Sequence, residues 1–158
     1  MRFSKDSPRS KRGFAWQNKL FAELRTKNYK VDDVREYYKS LGIVDTLELC
    51  KLEHKFGDLI IQRDKGNIYL ECITVPLAKQ SIFPERKLNF KGKNHWYAFE
   101  ISDGQRVFVL ARVWNKYVSK LDQVKIHGKL FRKFHASNLL GLRSAYSDIE
   151  SFCAPANK

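Results

Sequence analysis

Lys55-Phe56-Gly57-Asp58-Leu59-Ile60-Ile61, then Asp64-Lys65-Gly66-Asn67, then Ile68-Tyr69-Leu70-Glu71-Cys72-Ile73-Thr74 form the stretch on which the fold turns. Two runs rich in β-branched and aromatic residues flank a cluster of turn-formers, which is the pattern of a β-hairpin. Each run carries one acid at its border, Asp58 before the first and Glu71 in the second. With Lys65-Gly66 as a two-residue loop, Asp64 pairs with Asn67 and the same register sets Asp58 opposite Ile73. Glu71 is then the diagonal neighbour of Asp58 on the same face, at about 7–8 Å between Cα atoms. A slip of one residue would send the two acids to opposite faces, so the reading depends on the loop length.

Two carboxylates at that separation can converge on one divalent cation, magnesium or manganese, whose oxygen ligands lie at about 2.0–2.1 Å in the case of magnesium. Such a cation neutralises phosphate charge, lowers the pKa of an attacking water and stabilises a leaving oxygen, which suits phosphodiester hydrolysis. Acid pairs are also common on half-exposed sheets. Spacing alone leaves open a second reading, in which Asp58 caps a strand entry and Glu71 pairs with a surface lysine.

Outward from the hairpin, Phe14, Leu20, Phe21 and Leu24 recur on one face of a helix expected over 14–25. Asp32 and Asp33 stand where a helix start favours acids, Val34, Tyr37, Tyr38 and Leu41 continue a second helix, and Gly42 ends it. The alternation Thr46-Leu47-Glu48-Leu49 reads as part of a strand over 44–52. A second hairpin joins 96–101 to 106–110 through Ser102-Asp103-Gly104-Gln105, where Asp-Gly favours a tight turn. Between the hairpins, 76–93 is basic and irregular; after them a helix is expected over 113–121 and a loose basic segment over 125–133. Two helices, a largely antiparallel sheet and a later helix make an α/β or α+β arrangement.

Charge is the strongest compositional signal. Thirty Lys and Arg against 17 Asp and Glu give the 158-residue chain a formal net charge of +13 and a pI of about 9.8. Such an excess concentrates polyanions and speeds their capture, pointing to nucleic acid rather than to a membrane surface. With 43% hydrophobic and 13% aromatic residues the chain can bury a core, and its length suits one domain. Residues 1–13 are expected to be a flexible basic arm in which Lys11 and Arg12 reach phosphates, followed by a single domain over 14–158. Cys50, Cys72 and Cys153 are odd in number and form no CxxC, which argues against disulfides or zinc and for a reducing, cytoplasmic setting. The four histidines form no HExxH, and neither a P-loop nor a GxSxG elbow is present, so ATPase and serine-hydrolase chemistry lack support.

The order of elements, a helix ending at Tyr38-Lys39-Ser40-Leu41-Gly42, a strand, Phe56-Gly57-Asp58-Leu59-Ile60, then Tyr69-Leu70-Glu71, resembles the PD-(D/E)XK nuclease superfamily of restriction enzymes and Holliday-junction resolvases. The resemblance covers roughly 14–110. It implies a restriction-endonuclease-like fold: a central mixed sheet with two β-hairpins, flanked by helices. It implies further that Asp58 and Glu71 bind magnesium, that a helical Glu, Glu23 or less well Glu36, supports the metal, and that the protein forms a homodimer. The family's lysine, two residues after the Glu, does not match: Ile73 stands there and can carry neither charge nor hydrogen bond.

Two functions follow. In the first, a metal-dependent DNA endonuclease, another lysine takes over the missing role, Lys79 first and Lys87 second. In the second, a non-catalytic DNA- or RNA-binding protein uses a degenerate nuclease scaffold. Lys87, Lys91 and Lys93, in the basic and aromatic stretch 87–97, are candidate phosphate contacts in either case. Lys125, His127, Lys129, Arg132, Lys133 and His135 form a second basic patch that either widens the footprint or is a solvated face.

Overall fold

The structure, a computed structural model, describes the chain over residues 8–155, with side chains from residue 13 onward. A first helix, α1 (Pro8–Thr26), buries Trp16, Leu20 and Leu24, spaced four apart along one stripe. Phe14, expected on that stripe, is instead 48% exposed; Trp16 anchors the helix, its indole N–H donating to Ala98 O at 2.8 Å. Because α1 starts at Pro8, the segment 8–13 expected in a basic arm is helical; residues 1–7 lie outside the described residues.

A short strand, β1 (Val31–Asp33), leads into α2 (Val34–Ser40), capped by the Asp33 carboxylate, which accepts the Arg35 N–H at 2.9 Å. Gly42 closes α2 as expected, at φ +97°. The next element overturns the expectation of a strand over 44–52. It is a helix, α3 (Thr46–Phe56), whose N-cap Asp45 accepts the Leu47 N–H at 3.0 Å. Four alternating residues are too few to outweigh that cap and the longer stripe of Leu49, Leu52 and Phe56, at helical spacing.

The main sheet holds β1, β2 (Leu59–Ile61), β3 (Ile68–Val75), β5 (His95–Ile101) and β6 (Arg106–Leu110), in that order. Only β3 and β5 run parallel, so the sheet is mixed, as the fold reading requires. The second hairpin, β5–β6, forms as read, Glu100 facing Arg106. The first hairpin differs in register: Leu59 pairs with Leu70 and Ile61 with Ile68, leaving 62–67 as a six-residue connection rather than a two-residue loop. The shift is two residues, so every side chain keeps its face.

The stretch 76–93 is not wholly irregular. It contains β4 (Ser81–Pro84) and a 3-10 turn, Glu85–Asn89. Nor is 125–133 loose: β7 (Gln123–Ile126) and β8 (Lys129–Phe134) form a hairpin that joins β4 in a three-stranded sheet of order β4-β8-β7. Its two-residue turn, His127-Gly128, has positive φ at both positions, 51° and 78°, the twist that matches flanking strands. Between the two sheets' segments lies α4 (Ala111–Val118), and α5 (Ala136–Leu140) follows β8.

Two cores sandwich the main sheet. On one face α1 covers Leu59, Ile61, Ile68, Leu70, Ala98 and Phe108. On the other, α4 and the small sheet cover Tyr97, Phe99, Val107 and Val109, with Trp114, Phe83 and Phe134 filling the centre. No helix among the described residues is long and apolar enough to cross a membrane.

Gly57 joins α3 to β2 at φ 83° and ψ −151°, a conformation open in practice to glycine alone. A Cβ there would lie 2.7 Å from the Leu70 carbonyl oxygen. Gly57→Ala is expected to destabilise the fold by about 1–3 kcal/mol from the backbone alone, with the steric clash adding to it. A fall in the urea midpoint at unchanged slope checks this.

Candidate active site

Asp58 follows Gly57 immediately, and the backbone holds it against β3. Its amide donates to Leu70 O at 2.7 Å, its carbonyl accepts the Val34 N–H at 2.9 Å, and its carboxylate accepts the Cys72 N–H at 2.8 Å. Extended one residue past β2, the strand pairing sets Asp58 against Glu71. The two acids therefore share a face, by closer pairing than the diagonal one expected. They line a single open cleft of about 370 Å³ with Glu53, His54, Arg86, Lys87, Asn89 and Phe90.

Lys87 is the cation that meets the acid pair. Its ammonium donates to Glu71 Oε1 at 2.9 Å, and the two side chains are only 23% and 16% exposed. It comes from the 3-10 turn Glu85–Asn89, outside any strand, and that turn is tethered from below. The Tyr97 hydroxyl lies 3.0 Å from Lys87 O and 2.9 Å from Asn115 Oδ1, while the Asn115 side-chain NH2 donates to Phe90 O at 3.0 Å. Beside Lys87, the Arg86 guanidinium stands 3.4 Å from His54 Nδ1. Glu53, at the cleft margin, is ion-paired with Arg35.

The electrostatics follow from that packing. Burial, reinforced by the negative charge of Glu71, pushes the Asp58 carboxyl well above the usual carboxylate range; the Cys72 N–H and the Lys87 charge pull the other way without cancelling it. Burial likewise raises the Cys72 thiol, with Asp58 and Glu71 adding to the effect, and raises the Tyr97 phenol. A carboxyl displaced upward inside a cleft that also holds Arg86 and Lys87 is a feature of functional sites.

The other candidates fall elsewhere. Glu23 lies on α1, over the opposite face of the sheet, where both its oxygens engage Arg106, one of them at 2.8 Å. Glu36 is exposed on α2 and pairs with Lys39 at 3.3 Å. Lys79, the first choice for the missing lysine, is exposed in the connection after β3 and does not line the cleft. Ile73, at the motif position, is half-buried and packs against the core on that face of the sheet. Lys91 and Lys93 are exposed on the loop before β5, and the side chains of Lys11 and Arg12 lie outside the described residues.

Among the described residues no three His, Cys, Asp or Glu side chains group so as to hold a metal ion by themselves; the cleft offers a pair of carboxylates. The tethering residues Tyr97 and Asn115 escaped the sequence reading. One signal pointed to Asn115: α4 buries Ala111, Trp114, Asn115 and Val118, and a lone amide on an otherwise apolar stripe must find partners inside.

No protein-family model and no curated protein matches the sequence. Among solved structures the chain is similar to Archaeoglobus fulgidus Hjc, a Holliday junction resolvase from an archaeal hyperthermophile. The TM-score is 0.50 at 11% identity, and the match covers 89% of this chain and 93% of that one. At that identity the likeness shows the fold alone: a central mixed sheet with flanking helices.

The raised Asp58 carboxyl has a measurable consequence for stability. A folded-state pKa above the unfolded value, about 3.9, contributes stability below that value and loses it as pH rises through the folded pKa. Asp58→Asn retains an acceptor for the Cys72 N–H but cannot ionise. Its melting temperature is expected to match the wild type at pH 3 and exceed it at pH 8, as a pH series of thermal melts would record.

Proposed function

We propose that this chain is a metal-dependent nuclease, acting on DNA first, in which Lys87 takes the place of the lysine that the PD-(D/E)XK motif puts two residues after Glu71. The observation that carries the reading is the meeting of Asp58, Glu71 and Lys87 in one cleft, Lys87 bonded to Glu71 at 2.9 Å. A resolvase-like fold supports it.

The residues present fit a magnesium or manganese ion. Two carboxylates are the protein share that magnesium commonly takes, water and phosphate oxygens completing the shell. Burial first, and the negative charge of Glu71 second, raise the Asp58 carboxyl, and a cation in the cleft would offset the second of these. Asp58 and Glu71 would hold it. When bound, the ion supplies Lewis acidity and a more acidic water.

The chain's own groups then have distinct tasks. Asp58 lines the cleft with one carboxylate oxygen fixed by the Cys72 N–H, which leaves the other to bind a cation. Glu71 shares its charge with Lys87, whose ammonium has three donors and spends one on Glu71. The remaining two can orient a water or a phosphate oxygen. Tyr97 and Asn115 hold the turn that aims Lys87, acting as positioning residues. Arg86 adds a guanidinium to the same wall, suited to phosphate oxygens.

Ile73 favours the second reading, a binding protein on a worn scaffold, and one assay separates the two. Purified protein is incubated with plasmid, branched and single-stranded oligonucleotides in magnesium, manganese or EDTA. Metal-dependent cleavage is expected, abolished in Glu71→Ala, lowered at least about a hundredfold in Lys87→Ala and unchanged in Lys79→Ala. Retarded migration without cleavage, the same in wild type and Glu71→Ala, would establish the binding protein instead.

A further inference from the structure

The small sheet has two dissimilar faces. Phe83 pairs with Arg132, and both share a face with Phe134; Phe83 and Phe134 enter the core. The alternate residues make the other face, where Ile82 lies beside Lys133, Val124 beside Phe131 and Ile126 beside Lys129. Ile82, Val124, Ile126 and Phe131 are each half-buried, yet none joins either core. Lys129 and Lys133, two residues to either side of Phe131, have no ion-pair partner among the described residues. The result is an apolar row centred on an aromatic ring and bracketed by two free cations, in a chain of net charge +13.

This sheet is braced to the cleft. Glu85, the residue before Arg86, accepts from Arg132 Nε at 2.8 Å and Gln123 Nε2 at 2.6 Å. The turn that supplies Arg86 and Lys87 to the cleft is thereby fastened to β7 and β8.

We propose that the outer face of the small sheet binds unpaired nucleotides of the strand being processed, Phe131 stacking on a base while Lys129 and Lys133 meet phosphates. This rests on the nuclease reading of the cleft. Charge complementarity selects a polyanion, and the apolar row selects its unpaired form. A duplex turns phosphates and sugars outward and hides the faces of its bases, so Ile82, Val124, Ile126 and Phe131 would gain little from it. Unpaired bases offer π-faces that aromatic side chains take up without regard to sequence. Lys129 and Lys133 stand about 13 Å apart along the strand, at about 3.3 Å per residue, enough to meet phosphates on both sides of a stacked base.

Fluorescence anisotropy in EDTA tests the face apart from cleavage, using a labelled oligothymidylate and a blunt duplex over a series of salt concentrations. Phe131→Ala is expected to weaken single-strand binding at least about fivefold, the loss of one stacked base. The double variant Lys129→Ala/Lys133→Ala is expected to lower the slope of log affinity against log salt by about 1.4, or 0.7 for each phosphate contact. Duplex binding should change far less in both variants. Unchanged single-strand affinity and slope in both variants would overturn the proposal while leaving the nuclease reading intact. An equal loss on duplex would overturn it too, showing unspecific charge. If wild type binds no oligonucleotide and cuts none, the nuclease reading falls as well.

Discussion

The bond from the Cys72 amide to the Asp58 carboxylate sets an acid against the middle of a sheet, beside a second acid, in a place with little water. Two like charges so placed repel, and burial penalises each. Much of the neighbouring structure serves that constraint. Gly57 permits α3 to end and the chain to enter β2 without a side chain striking Leu70 O. The 3-10 turn brings Lys87 to Glu71, and Tyr97 and Asn115 hold that turn in place from the core. An ammonium fixed in this way neutralises one acid and leaves the other poised.

Such an arrangement lowers stability locally. The Cys72 N–H and Lys87 offset only part of what desolvation and Glu71 impose on Asp58. The compensation lies elsewhere, in the two apolar layers: Trp16, Leu20 and Leu24 on one side of the sheet, Phe83, Phe99, Trp114 and Phe134 on the other. A sheet clamped from both faces can carry two neighbouring acids near its middle without losing its register.

That division explains what was legible in the sequence. Both hairpins of the main sheet and the shared face of Asp58 and Glu71 could be read, because period-two patterning survives even when the loop length is wrong. The register itself could not: a two-residue loop and the six-residue connection differ by an even shift, and both keep Leu59 and Leu70 inward. The stretch 44–52 failed where a four-residue alternation met an Asp45 cap. The hairpin of β7 and β8 was hidden among lysines, although His127-Gly128 marked its turn. Glu23 was chosen by analogy, but nothing in one sequence shows which face of a sheet a helix covers, and Glu23 is engaged by Arg106 on the face away from the cleft.

The position of Lys87 follows from the same packing. Ile73 stands two residues after Glu71 on β3, so its side chain points to the same face, and there it packs, half-buried, against the core that holds its strand partner Phe99. An isoleucine there adds apolar contact to that core that the charged head of a lysine would not. The parallel step from β3 to β5 requires a long crossover, and here the crossover contains β4 and the 3-10 turn. A residue on that turn reaches Glu71 from the open side of the cleft, keeping a cation beside the acids while the strand keeps an apolar residue for the core. The cation beside the two acids thus comes from the crossover, and the strand position two residues after Glu71 is left to the core.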